Sequence, residues 1–218
     1  MCTCLILSVA FECVTEPSLT GRLRLLAAAE RLFATRGLGV PNREIVAAAG
    51  QHNSSAITYH FASRAGLIDA VRERHETPIA QHREYLISRL RRPAGRTTRQ
   101  LVEAYIQPFA AEMLRYAPSY WARFSELLLS DQRTDTAMSE LLELMMAHLG
   151  HLPEPEALGR VALTVRFLNS GLARWERDSQ AGADGADGTD GTAPLASYTL
   201  ILTDLATAML DSPSSVRC

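Results

Sequence analysis

Apolar residues recur along most of this chain at three- and four-residue intervals, the period of a helix that buries one face. Over residues 20–36, Leu25, Leu26, Ala29, Leu32 and Phe33 form one continuous stripe, closed by Gly37 and Gly39. The next two stripes are short. Residues 43–49 carry Ile45, Ala48 and Ala49 just before Gly50, a residue suited to the positive φ of a helix C-terminus. Residues 54–61 carry Ala56, Ile57 and Phe61 on one side and Ser54, Ser55, Thr58 and Tyr59 on the other. Phe33, Ile45, Ile57 and Phe61 are expected to meet in one small core. Ser63 can cap a long fourth helix, predicted from about 64 to 91, which Pro78 should kink.

Beyond a basic turn at 91–99, the stripes continue. Leu101, Tyr105, Phe109 and Met113 mark a helix over 98–116, interrupted by Pro108. Trp121, Phe124 and Leu128 mark one over 119–130, and Met138, Leu141, Leu142, Met145 and Leu149 one over 134–149. Leu158, Val161, Val165, Leu168, Leu172 and Trp175 mark a long helix over 154–177. The last helix, about 195–210, places Leu195, Tyr198, Leu202, Leu205 and Met209 on a heptad seam. Between these two, residues 179–194 are polar and repetitive and read as a mobile loop. The expected architecture is all-α, with about nine helices. Residues 1–17 form a flexible arm, 18–75 a three-helix helix-turn-helix domain, and 76–212 a larger helical domain for ligand binding and dimerisation.

Charge sharpens this division. Residues 17–100 hold 14 arginines against 6 carboxylates, a net of +8, whereas 101–218 hold 8 against 16, a net of −8. The basic half coincides with the helix-turn-helix, as an electrostatic footprint for a polyanion would. Composition, 47% hydrophobic, supports a substantial core. The apolar run near the start lacks a positive n-region, which argues against a secretory signal, and no stretch is long enough to span a membrane. A cytoplasmic protein is expected.

Enzymatic chemistry finds no support, so no catalytic residue is expected. No phosphate-binding glycine loop, dinucleotide fingerprint or nucleophile elbow occurs. Neither a cofactor nor a metal is expected. His75 and His82 lie seven apart, two helical turns, too far to share one ion, and the six histidines read mostly as surface residues. Asp184, Asp187 and Asp190 recur every third residue, unlike the alternate ligands of a calcium loop. Cys2, Cys4, Cys13 and Cys218 lie near the termini without a Cys-x-x-Cys pair; Cys2 and Cys4 read as incidental thiols, with redox sensing the alternative.

A short helix that buries one stripe and exposes small hydrogen-bonding groups suits a DNA major groove. The base-edge candidates are Gln51, His52, Asn53, Ser54, Ser55 and Thr58, Asn53 serving equally well as a helix cap. Arg43, Tyr59, His60 and Arg64 are the phosphate candidates.

These residues carry a resemblance. The lead helix ending Leu32-Phe33-Ala34-Thr35-Arg36-Gly37, then Arg43-Glu44-Ile45 with Ala48-Ala49-Gly50, then Tyr59-His60-Phe61 with Ser63-Arg64 and Leu67, resembles the TetR family of bacterial transcriptional regulators. Two departures stand out: the turn Gln51-His52-Asn53 is one residue longer than the usual pattern, and Pro41 occupies the place of a Ser or Thr cap, leaving Asn42 to cap instead. The resemblance implies a homodimeric repressor on a near-palindromic DNA operator, released by a small, largely apolar effector. The alternatives are a helical ligand-binding or interaction protein without DNA binding, and an activator. Half-sites about 34–36 Å apart would suit two reading helices.

Effector candidates are Tyr105, Phe109, Met113, Trp121, Phe124, Met145 and Phe167, apolar residues from separate helices that core packing would explain equally well. For pairing with a second copy, Leu158, Val161, Val165 and Leu172 stand with Tyr198, Leu202, Leu205 and Met209; simple coverage of the core is the other reading.

Overall fold

A computed structural model describes residues 21–53, 55–91, 95–129, 134–183 and 193–214. The expected arm at 1–17, with Cys2, Cys4 and Cys13, lies outside the described residues, as do Ser54, Cys218 and the three loop aspartates. All regular structure among the described residues is helical. The elements are α1 (Gly21–Arg36), α2 (Asn42–Ala48), α3 (Ala56–Phe61), α4 (Arg64–Leu90), α5 (Thr98–Met113), α6 (Trp121–Leu127), α7 (Thr136–His148), α8 (Glu154–Ala183) and α9 (Leu195–Asp211).

The apolar periodicity decides the packing. The α1 stripe Leu25, Leu26, Ala29, Leu32 and Phe33 is buried, together with Ile45, Ile57 and Phe61 of the two short helices. In the body, α5 buries Leu101, Tyr105, Phe109 and Met113 against α4, α7 and α9, while α6 and α9 lie on α8. One contiguous apolar core runs from Leu25 to Leu210. It passes from head to body through α4 and through α6, which packs on α1. Position 75/76, expected as a domain boundary, falls inside α4.

Several expectations are corrected. Helix α5 is not interrupted at Pro108: it runs through to Met113, with Pro108 among its buried residues. Helix α4 runs as one element from Arg64 to Leu90 with Pro78 inside it, as expected. Helix α8 extends past Arg177 to Ala183, so the polar tract is helical at 179–183. Gln180 explains the extension, since its amide donates to the Ser119 carbonyl and its Oε1 accepts from Arg123. Asn42 does not cap α2. Pro41 occupies the cap position with no side-chain hydrogen bond, and Asn42 is the first helical residue.

Candidate nucleic-acid interface and regulatory core

Helices α2 and α3 form an elbow fixed by backbone chemistry at both ends. Gly50 ends α2 at φ 65°, a left-handed conformation that costs a residue without Cβ little. Asn53 Oδ1 then accepts from Ser55 N at 2.9 Å, so this side chain starts α3. After α3, Ala62 turns the chain at φ 61°, and Ser63 Oγ caps α4 by accepting from Gly66 N at 3.0 Å. The turn is so tight that a Cβ on Gly66 would sit 2.1 Å from the Phe61 carbonyl oxygen.

The elbow presents a polar surface. Arg43, His52, Asn53, Ser55, Thr58 and Tyr59 are exposed, and Tyr59 is 83% accessible. His60 is half-buried, with the rings of Tyr59 and Phe61 beside it at 4.8 and 6.1 Å. Two other candidates are engaged within the protein. Gln51 is half-buried and donates from Nε2 to the Gly21 carbonyl at 2.8 Å, tying the turn to the start of α1. The Arg64 guanidinium donates to Asn42 Oδ1 at 2.6 Å and to the Leu38 carbonyl, and lies 5.1 Å over the Phe33 ring. It therefore clasps the connection between α1 and α2. The exposed Arg22, missed in the sequence, stands over the Phe61 ring at 5.0 Å and adds a cation beside α3. Only its place in the fold, 39 residues upstream of that ring's residue, brings it to this surface.

The effector candidates divide. Tyr105, Phe109, Met113, Trp121, Phe124 and Met145 are all buried in the common core. Phe109 stacks on Trp121 at 5.7 Å, Trp121 lies 6.0 Å from Phe124, and Phe124 stacks on Phe33 of α1 at 5.9 Å. Phe167 stands apart. It is half-buried and borders a shallow depression of about 330 Å³ with Gly171, Tyr198, Ile201 and Leu205 on the outer face of α8 and α9. A larger cleft of about 700 Å³ lies between α4 and the start of α7, and its walls are polar: Asp69, Arg72, Glu73, Glu76, Asp135 and Glu140 among them.

The self-pairing candidates also divide. Val161, Leu172 and Leu202 are buried within the single chain, Val165, Tyr198 and Met209 are half-buried, and Leu158 and Leu205 are exposed. Helix α9 turns Leu195, Leu202, Ala206 and Leu210 inward, so its heptad seam straddles the inner and outer faces. Leu163, Leu200 and Ile201 join Leu158 and Leu205 as large exposed apolar residues on these two helices.

Sequence reasoning also missed the buried polar groups of α4. Its inward stripe includes Arg72, His75 and Arg83 among Leu67, Val71, Ile79, Ile87 and Leu90. Arg83 lies 5.7 Å over the Tyr105 ring and 3.7 Å from Asp135 Oδ2; burial lowers its pKa and raises that of Tyr105. The Tyr105 hydroxyl accepts from Asn169. His75, one of six histidines expected to lie mostly at the surface, is fully buried. Its Nδ1 is 2.8 Å from Glu112 Oε1 and its Nε2 is 3.0 Å from Glu30 Oε2. Burial alone would lower the His75 pKa; hydrogen bonding to both glutamates and their charge outweigh it and raise the pKa. Among the described residues, no group of three or more His, Cys, Asp or Glu is placed to hold a metal ion.

A rigid elbow exposing a short polar helix, mounted on a larger helical body, is the fold of a DNA-binding transcriptional regulator. Residues 25–71 match the family model described as bacterial regulatory proteins, tetR family. The match spans α1 to the first part of α4, so this segment is similar to that family. No curated protein matches the chain. Among solved structures, AmtR from Mycobacterium smegmatis is similar with a TM-score of 0.52 and 19% identity, over 92% of this chain and 90% of that one. A single-substitution variant of TetR from Acinetobacter baumannii AYE, in complex with minocycline, is similar with a TM-score of 0.50 and 18% identity, over 88% and 97%. These likenesses extend the TetR-like fold across the body. No helix among the described residues is long and apolar enough to cross a membrane.

Proposed function

We propose that this chain is a repressor that binds a near-palindromic DNA operator as a homodimer and lets go when a small molecule occupies its body. The observation that carries this is the exposed polar face of α3 on its fixed elbow. Ser55, Thr58 and His52 are the proposed base-edge contacts, and Arg43, Tyr59 and Arg22 the proposed phosphate contacts. Gln51 and Arg64 shape that surface from behind, and the exposed Asn53 fixes the start of α3. In the second copy, the exposed Leu158, Leu163, Ile201 and Leu205 would meet their equivalents, which sets two reading heads side by side.

The effector is proposed to enter among the core aromatics of α5 and α6, whose packing already reaches α1 through Phe124 and Phe33. The minocycline complex of the similar structure supports a small-molecule effector in kind, not in identity. A coupling of about 1–3 kcal/mol between effector and DNA would suffice.

An electrophoretic shift with the duplex upstream of the chain's own gene tests the reading. Retardation that is lost on Thr58→Ala with Tyr59→Ala supports it. No retardation at low salt, in a folded sample, favours a ligand-binding protein without DNA affinity. In sedimentation, the wild type should run at twice its 23.9 kDa chain mass. Ile201→Glu with Leu205→Glu should run as a single chain, and a wild-type monomer at micromolar concentration would refute the pairing.

A further inference from the structure

We infer that His75 is a proton-operated lock that fastens the DNA-reading head to the body. Its ring sits where three helices meet: Glu30 comes from α1 of the head, His75 from α4, and Glu112 from α5 of the body. All three side chains are buried. Helix α6 closes the site with the Trp121 ring, stacked on the imidazole at 4.6 Å and 23°. Tyr116, just past α5, meets the imidazole edge-on at 5.2 Å.

The chemistry of the lock follows from counting protons. A neutral imidazole has one N–H and one lone pair; only the cation has two N–H groups. Both nitrogens of His75 lie close to carboxylate oxygens: Nδ1 is hydrogen-bonded to Glu112 Oε1 at 2.8 Å, and Nε2 is at ion-pair distance, 3.0 Å, from Glu30 Oε2 without the alignment of a hydrogen bond. The cation can satisfy both glutamates. The neutral ring must turn a lone pair toward one of them, in a site shielded from water, where such repulsion is costly. The other charges at the site hold the carboxylates in place. Arg74 of α4 stands 3.8 Å from Glu30 Oε2 and donates from Nε to the Tyr116 hydroxyl at 3.2 Å. Arg115 donates to Glu112 Oε2 at 3.3 Å. Each glutamate therefore keeps a permanent cation on one side, and the imidazole proton is the variable bond that joins them.

The raised His75 pKa fixes the direction of the switch. The proton's stabilising effect is fully present below the ordinary histidine value of about 6.5 and is lost as pH rises through the folded-state value. Alkaline conditions should thus loosen α1 from α5 while both keep their own helical structure. An effector that displaces Trp121 or Glu112 would act on the same joint from the body side.

Two measurements on the full-length protein test the lock without reference to DNA. In a ¹⁵N-histidine-labelled sample, the buried ring should titrate above the ordinary histidine value of about 6.5 and carry protons on both nitrogens below its own midpoint. Amide hydrogen exchange, corrected for the intrinsic pH dependence, should show α1 protection falling at least tenfold through the same titration. In His75→Gln, α1 protection should be low and independent of pH over that range. Should His75→Gln fail to fold, Glu112→Gln, which removes one carboxylate charge, should give the same loss of pH dependence. A ring that titrates at or below the ordinary histidine value of about 6.5, or α1 protection unaltered through the titration, overturns the proposal. Affinity for the upstream duplex should decline in the same window. Unchanged affinity there, with exchange responding, would overturn the link to reading; no DNA binding at any pH would refute the repressor function alone.

Discussion

Arg64→Ala separates two roles for a basic residue at the start of α4. The side chain donates to Asn42 Oδ1 and to the Leu38 carbonyl and covers the Phe33 ring. Hydrogen bonds to a charged group contribute about 1.5–3 kcal/mol each when buried. At this half-buried site, solvent screening reduces the pair to roughly 2 kcal/mol together. The guanidinium on an aromatic face adds about 0.5–1 kcal/mol. The expected loss is about 2–3 kcal/mol, which in a chain of this size lowers Tm by roughly 5–10 °C. Thermal unfolding followed by circular dichroism measures it. DNA affinity is then titrated against salt at a temperature where both proteins are folded. A residue spent inside the protein leaves the slope of log K against log [salt] unchanged, whereas each lost phosphate contact flattens it by about 0.9. Arg64→Lys should keep the charge but only part of the stability, because an ammonium cannot span both acceptors as the planar fork does. A wild-type Tm combined with a flattened slope would refute the reasoning.

Two further substitutions probe the scaffold. Gly66→Ala places a methyl 2.1 Å from the Phe61 carbonyl oxygen, a backbone atom without a flexible end to yield, so it should cost at or above the roughly 1–3 kcal/mol of ordinary overpacking. Near-normal Tm and DNA binding in that variant would show that the α3–α4 turn is looser than described. Glu176 of α8 accepts from Ser119 Oγ and from the backbone N–H groups of Ala122 and Arg123, and so stands in for the missing N-cap of α6. Glu176→Gln should lose about 1–3 kcal/mol and raise hydrogen exchange at the start of α6, since its NH₂ group must face a donor; unchanged exchange there would remove the capping role.

How far the sequence was legible depended on what each helix buries. Helices α1 and α5 bury apolar stripes that were visible residue by residue, although each also buries one glutamate, Glu30 and Glu112, that polarity assigns to the surface. Helix α4 was legible as a helix but not as a carrier of charge into the core. Arg72, His75 and Arg83 occupy inward positions that polarity assigns to the surface, and the partners Glu30, Glu112, Asp135 and Tyr105 come from distant parts of the chain. No periodicity encodes such pairings. The seam of α9 divides for another reason. A helix packed on two others buries a stripe wider than a heptad seam, so Leu202 faces inward while Leu205 faces out. Around α2 and α3, residue type marked which side chains are polar, but not which of them the fold would engage internally. Gln51, Asn53 and Arg64 have the chemistry of DNA contacts and use it on Gly21, Ser55 and Asn42. The partners that claim them include backbone atoms, on which the sequence of side chains is silent.

The most direct test of the central claim is selection of bound duplexes from a randomised DNA pool by the full-length protein, followed by sequencing. Two α3 helices related by a two-fold axis should enrich an inverted repeat with half-site centres about one helical turn, or a small multiple of turns, apart. Thr58→Ala should relax the preference at one position in each half-site and leave the spacing intact. Folded protein that enriches no sequence, or enriches a single unrepeated site, would contradict a dimeric repressor reading DNA through α3.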